Sequence, residues 1–117
     1  MPLAVIDSAF DTNSLFATVQ DGFLIYYSSV VDGVLWCPDC RDVEDLVKQT
    51  FSADDGPKGV IVYVGDRPEW KTNSNKFRSE PFNIQSVPTI VKIKNAKEVG
   101  RLVDEHISPQ LSAFVKD

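Results

Sequence analysis

The chain is poor in the residues that bind metals or staple small folds. Among 117 residues there are two cysteines, Cys37 and Cys40, and one histidine, His106. A structural zinc needs about four ligands, and this set falls short, so no metal is expected. Positive charge is also in deficit: 12 Lys and Arg stand against 17 Asp and Glu, a net charge of -5. No basic stripe offsets phosphate repulsion, which argues against nucleic acid as a partner. No apolar run approaches the roughly 20 residues that span a bilayer. The first residues, Met1-Pro2-Leu3-Ala4-Val5, carry no basic segment and are followed by Asp7 and Asp11, unlike a signal peptide. The expectation is therefore a cytoplasmic protein without a membrane partner, small enough to reach the nucleus by diffusion. In that compartment thiols are kept reduced. There are no internal repeats, no low-complexity segment and no phosphate-binding glycine loop.

What is present fits one domain over residues 1–117: 43% of the residues are apolar, enough for a single core without staples. The chain is organised around Trp36-Cys37-Pro38-Asp39-Cys40, which holds both cysteines. Upstream, Phe23-Leu24-Ile25-Tyr26-Tyr27 reads as a buried strand. Downstream, Val43, Leu46, Val47 and Phe51 recur at helical spacing, with charged residues between them. Pro38 suits the first helical position, since its missing N–H would be unpaired there. Cys37 then falls at the N-cap, where free amides and the macrodipole favour a thiolate. Cys40 lies one turn later on the same face, within reach of a disulfide to Cys37.

Four readings of this pair compete. A structural disulfide suits the cytosol poorly, and a zinc site lacks ligands. Two inert buried thiols fit badly with Asp39 and a helix start. A thiol–disulfide redox pair is the reading that a strand-then-helix context favours.

The same residues resemble the active site of the thioredoxin superfamily. Ordinary thioredoxin has Gly-Pro between the cysteines and glutaredoxin has Pro-Tyr. The Pro-Asp found here is similar to the Clot-type thioredoxin-related proteins, the thioredoxin domain-containing protein 17 family. Val64-Gly65-Asp66-Arg67-Pro68-Glu69-Trp70-Lys71, Asn75-Lys76-Phe77-Arg78 and Ser86-Val87-Pro88-Thr89 extend that resemblance along nearly the whole chain. It implies an α/β fold: a thioredoxin-like three-layer sandwich with a mixed central sheet flanked by helices on both faces. It implies Cys37 as nucleophile and Cys40 as resolving thiol, alternating with a redox-active Cys37–Cys40 disulfide. Trp36, Pro38, Asp39, Val87 and Pro88 support the site, Pro88 as a cis-proline that turns the Val87 backbone toward the cysteines. It implies no bound cofactor, with electrons from NADPH through thioredoxin reductase as partner, and a monomer. Substrates would be small or specialised disulfides: cystine, nitrosylated or glutathionylated thiols, and selected protein disulfides. A thioredoxin-fold adaptor that binds a partner peptide is the alternative, and glutaredoxin the nearer enzyme rival. Trp36 and the lack of a Gly-Gly pair after Pro88 stand against the latter.

The rest of the chain is read in order. Leu3–Ile6 is a short strand. Asp11 or Thr12 caps a helix to about Gln20, and the central strand runs from Phe23 to about Ser28. Ser29 to Leu35 is an inserted loop. Asp32, beside Gly33, reads as a turn acid, which leaves no buried proton acceptor on the strand before the site and gives that role to Asp39 or water. The helix ends near Thr50 to Ser52, and Asp54-Asp55-Gly56-Pro57 is a turn. Val60–Val64 is a buried strand. Asp66 to Ser86 is a long connection with a short helix over about Asn75 to Glu80, plugged by Trp70, Phe77 and Phe82. Ile90–Lys94 is a strand whose Lys92 and Lys94 point to water, and Val99–Val103 an edge strand. Ser108-Pro109 caps a last helix, with Leu111, Phe114 and Val115 facing inward. His106, Asp104 and Glu105 read as solvated surface.

Overall fold

The five apolar side chains from Phe23 to Tyr27 are too few for a helix and are all buried. They form the central strand, β2 (Gly22–Tyr27), with β1 (Leu3–Ile6) and β5 (Gly59–Tyr63) on one side and β6 (Thr89–Lys94) and β7 (Lys97–Val103) on the other. The strand order is β1-β5-β2-β6-β7. β1 and β2 run parallel to β5, β6 is antiparallel to β2, and β7 to β6, so the sheet is mixed. The computed structural model describes residues 3–6, 21–51, 58–72, 74–78 and 82–115, with side chains left aside at 3–6 and at Lys76. The helix expected at 11–20 and the turn at 54–57 lie outside these residues.

Alternation along β2 sends Phe23, Ile25 and Tyr27 to one face and Leu24 and Tyr26 to the other. The first face is covered by α1 (Pro38–Phe51) and α3 (Ile107–Phe114). Phe23 meets Phe51 of α1 at 5.4 Å and Phe114 of α3 at 5.7 Å between ring centroids. The fit is close: a Cβ on Gly59 would lie 2.8 Å from the Phe51 ring, so β5 needs glycine there. On the opposite face the connection after β5 packs Phe77 edge-on to Tyr26 at 5.8 Å. That connection contains a short helix, α2 (Arg67–Lys71), and a 3-10 turn at Lys76–Arg78. Trp70, Phe77 and Phe82 are buried as the sequence predicts.

Three expectations are corrected. The short helix expected over about Asn75 to Glu80 is only the 3-10 turn, and the unforeseen α2 precedes it. Its signal was in the sequence: Asp66 and Glu69 form a reciprocal capping box, with bonds of 3.0 and 3.1 Å, and Pro68 sits in the first turn. Lys92 does not face open water; it is 8% exposed, its ammonium 5.1 Å from the Phe114 ring centroid and 5.8 Å from that of Phe23. The cause is α3, which covers the stretch of β6 expected to be wet and leaves Lys94 outside. Ser108 is not a cap, because the 3-10 turn Asp104–His106 runs directly into α3 at Ile107 and no side-chain cap bond forms.

Candidate active site

The inserted loop after β2 is a small hairpin. β3 (Val30–Val31) pairs with β4 (Val34–Leu35), and Asp32 (φ 54°) and Gly33 (φ 85°) make its tip. Asp32 is thus the exposed turn acid the sequence predicts. The hairpin returns the chain to the end of β2, where the Trp36 N–H reaches the Ser29 carbonyl at 3.4 Å. Trp36 is fixed from the other side by Gly65, whose carbonyl accepts the indole Nε1–H at 2.8 Å. The Arg67 guanidinium lies 5.3 Å over the same ring. Gly65 in turn donates its N–H to the Ser29 hydroxyl at 3.0 Å and has φ 120°, a conformation that excludes other residues.

Cys37 caps α1: its carbonyl accepts the first helical bond from Arg41 N–H at 3.2 Å, and Pro38 opens the helix. Ser28 sits beneath both cysteines. Its hydroxyl accepts from the Cys37 N–H at 3.1 Å, and its own N–H donates to Cys40 Sγ at 3.4 Å. The Cys37 thiol points at the Val87 carbonyl, 3.8 Å away, and the Val87–Pro88 peptide is cis. Both cysteines are free thiols. Cys37 is 9% and Cys40 0% exposed; the order matches expectation, although Cys37 is more enclosed than a helix-start position suggests, because Val87 covers it. Burial pushes the Cys40 thiol up to about 12, and the nearby Cys37 adds to this while the Ser28 N–H opposes it.

Trp36, Cys37, Cys40, Val87 and Pro88 therefore converge, with Pro38 and Asp39 on the exposed start of the helix. Across from Asp39 stands Asp104, at φ 55°, tied to the proline loop by its N–H to the Pro88 carbonyl at 2.8 Å. Burial first, and then the charges of Asp39 and Glu105, raise the Asp104 carboxyl above its ordinary range. Asp104 is thus part of the site's rim and not merely solvated. Ser28, Ser29 and Asp104 carry no motif that sequence reading detects, and Gly65, though inside the Val64–Lys71 block, shows there no sign of its hold on Trp36; they act through backbone and hydroxyl geometry. His106 is exposed, and among the described residues no three His, Cys, Asp or Glu side chains gather as a metal centre.

Comparison with known proteins places this arrangement. A family described as "Thioredoxin domain-containing protein 17-like, thioredoxin domain" matches residues 11–116. The chain is 35% identical over 94 residues to a thioredoxin domain-containing protein of Schizosaccharomyces pombe, covering 79% of this chain and 75% of that one. It is 32% identical over 88 residues to "Thioredoxin-like protein Clot" of Oryza sativa subsp. japonica, covering 68% of this chain. The match spans less than two thirds of the rice Clot protein and of its Arabidopsis thaliana counterpart, 63% and 55%. Among solved structures, the reduced thioredoxin pre-protein of Schistosoma mansoni superposes with a TM-score of 0.66 at 22% identity, covering 97% of this chain and 95% of that chain, a likeness of fold. With the family match extending over most of its length and a cysteine pair at the start of α1, this chain belongs to the Clot-type, thioredoxin domain-containing protein 17-like family of thioredoxin-like domains.

Proposed function

We propose that the chain is a thiol–disulfide reductase in which Cys37 attacks a substrate disulfide and Cys40 resolves the resulting mixed disulfide. A thioredoxin-like domain with a close cysteine pair is equipped for thiol oxidoreductase chemistry in general. The observation that carries the specific reading is the asymmetry of the pair. Cys37 is the less buried thiol, at the first turn of α1 with free backbone amides nearby, while Cys40 is sealed behind it on the Ser28 N–H. The Val87 carbonyl beside Cys37 is an edge on which an extended substrate can form a backbone hydrogen bond.

Substrates in this reading are small or specialised: cystine, nitrosylated or glutathionylated thiols, persulfides and a few protein disulfides. The β3–β4 hairpin and the Gly65–Lys71 segment flank Trp36 and narrow the approach. The oxidised Cys37–Cys40 pair is returned to dithiol by thioredoxin reductase and NADPH, and the protein works as a monomer in the cytoplasm without a bound cofactor. The test is NADPH consumption with thioredoxin reductase and either cystine or insulin. Wild type should turn over cystine faster than insulin, and Cys37→Ser neither. No NADPH consumption by wild type would sink the reading.

A redox-regulated adaptor is the second reading. It rests on Val30, Val31 and Val34, which the hairpin holds exposed beside the site. A Cys37→Ser, Cys40→Ser double variant that keeps full cellular function would favour it.

A further inference from the structure

Trp36 directly precedes Cys37 in the chain and is half-buried, so part of its indole lies at the surface beside the nucleophile of the reaction proposed above. The ring is not free to turn, because its Nε1–H is held on the Gly65 carbonyl at 2.8 Å. Over the ring, 5.3 Å from its centroid, lies the Arg67 guanidinium. One short segment places both contacts: Gly65 follows β5, and Arg67 opens α2.

Arg67 is exposed. The acids nearest to it in the chain are engaged in the cap of α2: Asp66 accepts the Glu69 N–H at 3.1 Å, and Glu69 accepts the Asp66 N–H at 3.0 Å. Among the described residues no carboxylate or carbonyl accepts a hydrogen bond from Arg67. Two other arginines differ in this. Arg101 grips the Glu98 carboxylate through two nitrogens, at 2.6 and 2.7 Å, and reaches the carbonyls of Phe82 and Asn83. Arg78 lies 4.0 Å over the Trp70 ring, and its Nε–H is taken by the Trp70 carbonyl at 2.7 Å. Arg67 has the ring contact without the acceptor. Stacking on an indole holds the guanidinium plane and leaves its N–H edge open, and that edge matches a carboxylate through two parallel hydrogen bonds.

We propose that Arg67, held over Trp36, binds a carboxylate of the incoming disulfide, so that the protein selects carboxylate-bearing disulfides over neutral ones. The proposal rests on the dithiol reading above and names a residue behind its choice of substrate. The ligand class is an amino-acid or short-peptide disulfide: cystine carries a carboxylate close to each sulfur, and glutathione disulfide carries its carboxylates farther out. The charge of the whole molecule does not supply this selectivity. The chain carries -5, which disfavours anions, and the rim beside Pro88 carries Asp104. A local donor is needed, and Arg67 provides it. The exchange itself is unchanged. The Cys37 thiolate bonds one substrate sulfur, and the other leaves as thiolate with the electron pair of the broken bond. Arg67 forms no covalent bond and moves no proton.

The test is oxidation of the reduced protein by an excess of each of three disulfides, quenched with an alkylating agent and read by mass spectrometry. It needs neither a reductase nor a fluorescence change at Trp36. The disulfides are cystine, glutathione disulfide and the neutral hydroxyethyl disulfide. Arg67→Gln should slow oxidation by cystine, by glutathione disulfide or by both roughly tenfold, and leave that by hydroxyethyl disulfide unchanged. A loss with cystine alone assigns the amino-acid disulfide as ligand, and a loss with glutathione disulfide alone assigns the peptide; either supports carboxylate binding. Arg67→Lys keeps the charge without the planar fork and should recover only part of the rate. Arg41→Gln removes the same charge from the exposed start of α1 and should not discriminate among the three. Unchanged rates in Arg67→Gln would overturn the proposal. So would an equal fall with all three disulfides in Arg67→Gln and Arg67→Lys alike, which would make Arg67 a support for Trp36 only. The same selective loss in Arg41→Gln would also overturn it, since general charge would then suffice. No oxidation of wild type by any disulfide would overturn the dithiol reading itself, and this proposal with it.

Discussion

Ser28 and Cys40 are joined backbone to sulfur: the Ser28 N–H donates to Cys40 Sγ at 3.4 Å. The same serine offers its hydroxyl to the Cys37 N–H at 3.1 Å, so one fully buried residue sets the position of both cysteines. Ser28→Ala keeps the backbone bond to Cys40 but leaves the Cys37 N–H buried without its acceptor. The expected cost is about 1–3 kcal/mol. Urea unfolding of the reduced protein measures it, and an unchanged midpoint and slope would show that the hydroxyl is dispensable.

Gly65 joins the β5 end to Trp36 and to Ser29. At φ 120° it has room only for hydrogen: a Cβ there would lie 2.9 Å from the Glu69 Cβ. Gly65→Ala should therefore destabilise the fold by about 1–3 kcal/mol and free the Trp36 indole. Thermal melting reads the first effect. Indole fluorescence in a Trp70→Phe background reads the second. Wild-type values in both would mean that the backbone relaxes without cost.

Asp104 gives a pH-dependent signature whose sign is fixed. Its carboxyl is raised by burial and then by Asp39 and Glu105, so ionising it is harder in the folded chain than in the unfolded one. That lowers stability above its folded pKa and has no effect below its unfolded one. Asp104→Asn, which also tolerates φ 55°, should stabilise the protein at neutral pH by about 0.5 kcal/mol or less. The gain should shrink as pH falls through the carboxylate range. A gain independent of pH would assign it to backbone conformation alone.

Cys40 acts at the alkaline end. Its thiol is held at about 12 against an ordinary 9.0, so above pH 9 the unfolded chain loses this proton first. Stability should then fall with rising pH, by up to about 1.4 kcal/mol per pH unit from this group, between pH 9 and 12. Tyr26, Tyr27 and Tyr63, all raised by burial, steepen the fall from pH 10 upward. In reduced Cys40→Ala the decline should begin about one pH unit later. Superimposable stability curves would show that Cys40 ionises as freely folded as unfolded.

Much of this was legible in the sequence where local physics is strong. The apolar run Phe23–Tyr27 could only be a buried strand, Pro38 could only open a helix, and Asp32-Gly33 was readable as a turn. The capping box of Asp66 and Glu69 was equally written in the chain, though the short helix it starts was not foreseen. Lys92 was misread because alternation along β6 is overridden by α3, an element distant in sequence that lays Phe114 across the strand. Ser28 and Gly65 were invisible as site residues for a related reason. A serine and a glycine acquire their roles from what the fold brings against them, and no spacing rule encodes that. The cysteines themselves were the opposite case, since their three-residue separation fixes their geometry wherever a helix begins.

The most direct test of the proposed chemistry is mass spectrometry of Cys40→Ser after exposure to cystine. With the resolving thiol removed, the protein should accumulate a stable mixed disulfide on Cys37, released by added dithiol, and should lose turnover with thioredoxin reductase and NADPH. An adduct absent from Cys37, or turnover undiminished in Cys40→Ser, would contradict the assignment of Cys37 as nucleophile and Cys40 as the thiol that resolves it.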